Sequence, residues 1–171
     1  METEKNVERR APGRTGFQNE MKIEFDALSE NEAFARVAVA AFVAPLNPTM
    51  EEIADIKTAV SEAVTNAIIH GYDRDETEAE ESEENKVYIH CLILKDVLQV
   101  EVTDEGKGIE NIEQAMEPLF TTKPDMDRSG MGFAFMEAFM DELEVISEPG
   151  IGTTVMMSKK LGTLPWIEHE E

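Results

Sequence analysis

The chain has a single cysteine, Cys91, among 171 residues, so no disulfide can form within it. Cys91 falls among apolar residues in a strand pattern, which reads as a small buried thiol rather than a reactive one. Basic residues are also scarce: 15 Lys and Arg stand against 37 Asp and Glu, a net charge of −22. A field of that sign repels phosphate backbones and anionic lipid, which argues against direct contact with DNA, RNA or a membrane. No apolar run approaches the roughly 20 residues of a spanning helix, and the first residues lack the apolar core of a secretory signal. A cytoplasmic protein is expected. Also missing are the G-x-x-x-x-G-K-[ST] phosphate loop, the H-R-D-x-x-x-x-N catalytic loop and any Cys/His cluster suited to zinc.

What remains is enough chain for one domain with a proper core, and too little for two. Residues 1–20 mix charge, Pro and Gly without apolar period and read as a disordered leader or a non-native extension. The domain is expected to begin with an alternating strand over 21–26. Ser29 and Glu32 have the spacing of a capping box opening a helix to about Val43, and Thr49 and Glu52 repeat it. The second helix carries Ile53, Ile56, Val60, Ala63, Val64, Ala67 and Ile68 at helical spacing, with Gly71 placed to stop it. Residues 73–85 are nearly all polar and acidic and form a solvated loop. Strands follow over 86–94 and 97–103, then a short helical piece over 109–116, a lid within 110–129, a helix over 130–141, and paired strands over 143–147 and 153–159. A tail is expected from 161. The order β-α-α-β-β-α-β-β predicts an α+β fold, a two-layer sandwich with helices on one face of a mixed or antiparallel sheet.

Four short motifs occur in order along this frame: Glu62-Ala63-Val64-Thr65-Asn66, Asp104-Glu105-Gly106-Lys107-Gly108, Gly130-Met131-Gly132 and Gly152-Thr153-Thr154. Glu62 and Asn66 lie four apart on one helix face, with His70 continuing the stripe. Magnesium takes oxygen ligands and keeps several waters, so one Asn carbonyl beside substrate phosphates suffices as its protein anchor. Glu62, one turn back, is placed to accept a proton from a hydroxyl or water approaching a γ-phosphate. A merely solvated helix face would show the same pair. Asp104 at a strand end can accept a hydrogen bond from an exocyclic amine such as adenine's, while Gly106 and Gly108 permit close ligand approach. Asp and Gly also suit a turn used for shape alone. Gly130 and Gly132 precede a helix whose positive end would face a triphosphate, or form an ordinary glycine-rich helix entry. Lys123 and Arg128 flank the lid, as partners for phosphate charge or as plain exposed cations. The Phe and Met from Phe133 to Met140 read as core packing. Each motif is weak singly; together they describe a nucleotide site.

On these residues the chain resembles the GHKL (Bergerat-fold) ATPase and kinase superfamily, with residues 62–66 as its N box and 104–108, 130–132 and 152–154 as its glycine boxes. Residues 61–72, 118–124 and 129–133 are similar, within that superfamily, to the anti-sigma F kinase family of spore-forming bacteria. The resemblance covers Met21 to about Lys160. It implies a Bergerat-type sandwich with a mobile ATP lid and a mixed sheet. It also implies an ATP- and magnesium-dependent serine/threonine protein kinase that binds and inhibits sigma F, phosphorylates an anti-anti-sigma factor, and so controls sporulation transcription. By position, Glu62 would be the catalytic base, Asn66 the magnesium ligand and Asp104 the adenine contact. Gly106, Gly108, Gly130, Gly132 and Thr153 would form the nucleotide shell, joined by Lys123 from the lid. Arg36 matches a position implicated in docking both protein partners, and a homodimer is implied.

A stress-response anti-sigma B kinase shares all the boxes, but His70-Gly71-Tyr72 and the lid stretch Pro118-Leu119-Phe120-Thr121-Thr122-Lys123-Pro124 favour the sporulation branch. A nucleotide-gated binding module without kinase activity has no need of Glu62. A histidine-kinase catalytic domain would need a dimerisation helix pair bearing a phosphoacceptor, which residues 1–29 do not encode, so His70 reads as structural or site-lining. The acidic loop is longer than the resemblance implies, and its charge sits near the end of the second helix. Shortening it should leave the ATP dissociation constant within about tenfold of wild type, as measured by calorimetric titration of the two proteins; a larger loss would place the loop in the nucleotide site.

Overall fold

Among the described residues, apolar residues at every second position build five strands: β1 Gln18–Asp26, β2 Lys86–Leu94, β3 Val97–Asp104, β4 Glu142–Glu148 and β5 Gly152–Lys160. The computed structural model describes residues 18–72, 85–118 and 131–162. The acidic loop over 73–84, most of the expected lid, and Lys123, Arg128 and Gly130 lie outside the described residues. The strands pair in the order β1-β2-β3-β5-β4, and every pairing is antiparallel. A mixed sheet is therefore corrected to an antiparallel one. Tight connections enforce this at two of the pairings, since the two-residue link between β2 and β3 and the three-residue link between β4 and β5 can only join antiparallel neighbours, while β1–β2 and β3–β5 are joined by long connections and pair antiparallel through the fold.

One face of the sheet is buried. Val87, Ile89, Cys91 and Ile93 of β2 meet Leu98, Val100 and Val102 of β3, with Val155 and Met157 of β5 beyond. Residues between them in sequence stay half-exposed or exposed, as the period of two requires. Burial pushes the Cys91 thiol up to about 12, which makes it a packing residue and not a nucleophile. The sheet begins at Gln18, three residues before the expected start. Leu161, expected as tail, is buried in the core and its N–H donates to the Asp96 carbonyl at 2.8 Å.

Helices α1 Asn31–Val43, α2 Met50–Asn66, α3 Ile112–Ala115 and α4 Gly132–Phe139 complete the second layer. The apolar stripe of α2 is buried through Ile56, Ala59, Val60, Ala63 and Val64, and each large side chain removed from water contributes about 1.5–3 kcal/mol. Met136 and Met140 of the α4 region are buried, as core packing predicts. Lys159 of β5 donates to the Phe139 carbonyl at 2.7 Å and pairs with Asp55 of α2 at 3.3 Å, so the C-terminal end of α4 is pinned to both layers.

Two local expectations need correction. The capping box at Thr49 forms, with Glu52 N–H donating to Thr49 Oγ1 at 3.1 Å and Thr49 N–H to Glu52 Oε2 at 2.7 Å. The one at Ser29 does not: Glu30 occupies the cap without a side-chain bond. The Glu32 carboxylate is instead held by Arg36 through two bonds of 2.9 Å and by the Ser61 hydroxyl of α2. A charge-assisted pair outweighs a neutral cap amide. Gly71 likewise ends the second helix without the left-handed conformation of a glycine stop, because α2 runs on through a π-helical turn, Ala67–Gly71. Thr49→Ala should therefore lower unfolding free energy by about 1 kcal/mol, whereas Ser29→Ala should change it by less than about 0.5 kcal/mol, both read from urea denaturation.

Candidate functional site

Between α2, the end of β3 and the start of α4 lies a cavity of about 420 Å³. Asn66, His70, Asp104, Gly108, Gly132 and Thr153 all line it. Residues from four separate stretches of sequence thus meet at one place, as the motifs together predicted.

Asp104 is the last residue of β3 and only 5% exposed. Its Oδ1 accepts the Gly106 N–H at 2.9 Å, and the carboxylate takes a second backbone hydrogen bond from Thr153. Burial nevertheless outweighs both and pushes the carboxyl up to about 6 from an ordinary 3.8. The chain around it is packed so tightly that only glycine fits. A Cβ on Gly71 would lie 2.7 Å from Asp104 Oδ1, and one on Gly106 would lie 1.9 Å from the Gly71 carbonyl oxygen. Gly71 is thus required by close approach, not by helix termination. The Lys107 N–H donates to that same carbonyl at 2.8 Å, locking the glycine turn onto the end of the second helix.

Tyr72 reinforces the lock. Its hydroxyl donates to the Lys86 carbonyl and accepts the Glu105 N–H at 2.8 Å, joining the helix end, β2 and the turn. Burial raises its phenol above the usual range. Ser147 of β4 holds the far side of the turn by accepting the Ile109 N–H at 2.8 Å. Sequence reasoning missed the supporting work of Tyr72 and Ser147, and only Tyr72 had a signal, its place directly after Gly71.

Glu62 and Asn66 meet the start of α4. A Cβ added to Gly132 would lie 3.1 Å from Glu62 Oε2 and 3.3 Å from both ends of the Asn66 amide. The missing side chain leaves room beside an amide oxygen and a carboxylate at a helix start that has no side-chain cap, a setting suited to phosphate. Glu62 is outside the cavity lining, with its carboxylate against Gly132, and Gly106 lies beneath Gly71 rather than in the wall. Arg36 is not part of this site; it sits on α1, bound to Glu32. Among the described residues no three His, Cys, Asp or Glu side chains are grouped as a metal cage. The donor set fits magnesium on other grounds, because that ion needs only one or two protein oxygens beside phosphate.

A helix-covered antiparallel sheet with a buried strand-end carboxylate, and a helix bearing Glu and Asn that meets a glycine helix start, defines a nucleotide-binding domain of the ATPase class. Residues 25–159 match the family described as histidine kinase-like ATPase domain. The chain is 57% identical over 147 residues to the anti-sigma F factor of Clostridium perfringens strain SM101, covering 86% of this chain and 100% of that one. It is 59% identical over 146 residues to the anti-sigma F factor of Clostridium beijerinckii, covering 85% and 97%, and 56% identical over 145 residues to that of Bacillus thuringiensis, covering 85% and 94%. The chain belongs to the anti-sigma F factor family, within the histidine kinase-like ATPase domains. Its fold is also similar to a crystal structure of the RsbU and RsbW domains of Rv1364c from Mycobacterium tuberculosis, with TM-score 0.57 and 21% identity. That match covers 84% of this chain and 32% of that one. Among the described residues no helix is long and apolar enough to cross a membrane.

A carboxyl whose pKa is higher folded than unfolded favours folding while protonated. The contribution of Asp104 is full below about pH 4 and lost as pH rises through about 6. Asp104→Asn has no such loss. Relative to wild type, the ligand-free variant should gain about 1.5 kcal/mol between pH 5 and pH 8, read from denaturation curves across that range; a pH-independent difference would refute a buried, titrating Asp104.

Proposed function

We propose that the chain is an anti-sigma factor that binds and inhibits sigma F and, as an ATP- and magnesium-dependent serine/threonine protein kinase, phosphorylates and inactivates an anti-anti-sigma factor, controlling sporulation transcription. The observation that carries this reading is that Asn66 and Gly132 line the same cavity as Asp104, with the Glu62 carboxylate against Gly132. Family membership supports the anti-sigma role, and the site supports use of ATP.

In this reading the ionised Asp104 accepts a hydrogen bond from the adenine amine, Gly108 and Thr153 shape the walls around the base, and Gly106, packed against Gly71, supports the turn behind them. The Asn66 side-chain oxygen holds magnesium, which when bound neutralises charge on the triphosphate. Gly132, with Gly130 before it, lets the phosphates approach the start of α4, and Lys123 adds positive charge from the lid. Glu62 accepts the proton of a substrate serine as its oxygen bonds to the γ-phosphorus and the bond to the β-phosphate oxygen breaks, releasing ADP. Arg36 docks the protein partners from α1, away from the chemistry. The protein acts in the cytoplasm as a homodimer. ATP and ADP then select between partners by binding differently to the partner-bound states, which is a linkage requirement.

The relatives named anti-sigma F factor, at 56–59% identity, favour this branch over the stress-response anti-sigma B kinases. Glu62 favours a kinase over a nucleotide-gated binding module. Transfer of labelled phosphate from ATP to a purified anti-anti-sigma factor tests both points. Wild type should transfer, and Glu62→Ala should fall by at least about 100-fold while ATP affinity stays within about threefold. Bound ATP without transfer by wild type would leave the binding module.

A further inference from the structure

Ser147 stands on the edge strand β4, outside the cavity wall, yet its hydroxyl meets three groups. The Ile109 N–H donates to Ser147 Oγ at 2.8 Å, the Ser147 hydroxyl donates to the Gly152 carbonyl at 3.0 Å, and Thr153 Oγ1 lies 2.7 Å away. A hydroxyl has one proton and two lone pairs. An amide N–H can only donate and a carbonyl can only accept, so one arrangement satisfies all three contacts: the Thr153 hydroxyl gives its proton to Ser147. Thr153 is 8% exposed and lines the cavity, where it can then act only as an acceptor.

Thr153 is also the register partner of Asp104 across β3 and β5, so two acceptors stand side by side at the base end of the cavity. A pair of acceptors matches a group with two N–H bonds, as a 6-aminopurine has. A 6-oxopurine keeps only its N1–H as a donor on that edge and sets a carbonyl oxygen where the amine stood, so a buried acceptor faces another acceptor and loses its hydrogen bond. We propose that Ser147 is a positioning residue that sets the nucleobase preference of this cavity by fixing the direction of the Thr153 hydroxyl. The inference rests on the nucleotide-binding reading above and adds to it the reason for a 6-amino base.

The test compares dissociation constants of ATP and ITP, which differ at the 6-position, for the full chain and its variants. Wild type should prefer ATP. Ser147→Ala frees the Thr153 hydroxyl to turn and donate, and should narrow the ATP:ITP preference by about tenfold. Ser147→Thr, which keeps the hydroxyl, should restore it. Thr153→Val should narrow the preference by itself, and adding Ser147→Ala in that background should change it no further. This non-additivity is what a mere packing role would not produce. Equal weakening of both nucleotides by Ser147→Ala, or an unchanged preference in Thr153→Val, would overturn the proposal, and the second holds even if Ser147→Ala fails to fold. Failure of wild type to bind ATP at all would overturn the nucleotide reading and this inference with it.

Discussion

Asp104 keeps a carboxylate nearly out of water on the strength of backbone hydrogen bonds, and the surrounding chain is organised to make that tolerable. The Gly106 and Thr153 amides offset part of the desolvation, but the carboxyl remains pushed up to about 6. Gly71 and Gly106 bring the end of the second helix against it with no room for a side chain, and Gly152, at φ 139°, passes its carbonyl so closely that a Cβ would lie 2.1 Å away. An exposed aspartate would need none of these approaches.

The cavity lining is built by two different means. Neighbouring strands β3 and β5 carry Asp104 and Thr153 in register, and Tyr72 and Ser147 fasten the glycine turn from either side. Sheet pairing and hydrogen bonds to the backbone fix that part of the lining. Glu62 and Asn66 belong to α2, while Gly132 belongs to α4, whose far end is tied down by Lys159 and Asp55. The geometry there depends on how two helices pack.

Much of this was legible in the sequence because it depends on neighbours in the chain. Alternation in β2 and β3, the apolar stripe of α2 and the capping box at Thr49 follow from spacing alone, and the i, i+4 relation of Glu62 and Asn66 follows from helical pitch. The clustered motifs pointed to residues that line one cavity because glycines and an acid at strand and helix ends have few other uses in such number. What failed did so where another side chain intervened. Ser29 has the right spacing for a cap, but Arg36 and Ser61 claim Glu32. Gly71 looks like a helix stop, yet the carboxylate of Asp104, brought there by β3, is what excludes a side chain.

The sequence by itself determined the elements, the buried face of the sheet and the residue types of the site, since these are set by local periodicity and by the chemistry of single side chains. Tertiary structure alone decided that the sheet is antiparallel throughout, that Asp104 is buried beside Thr153, that Gly132 opens onto Glu62 and Asn66, and that Ser147 directs a hydroxyl it is six residues away from. Burial, pairing and the direction of a proton depend on which atoms surround a group. Those atoms come from parts of the chain that only folding brings together.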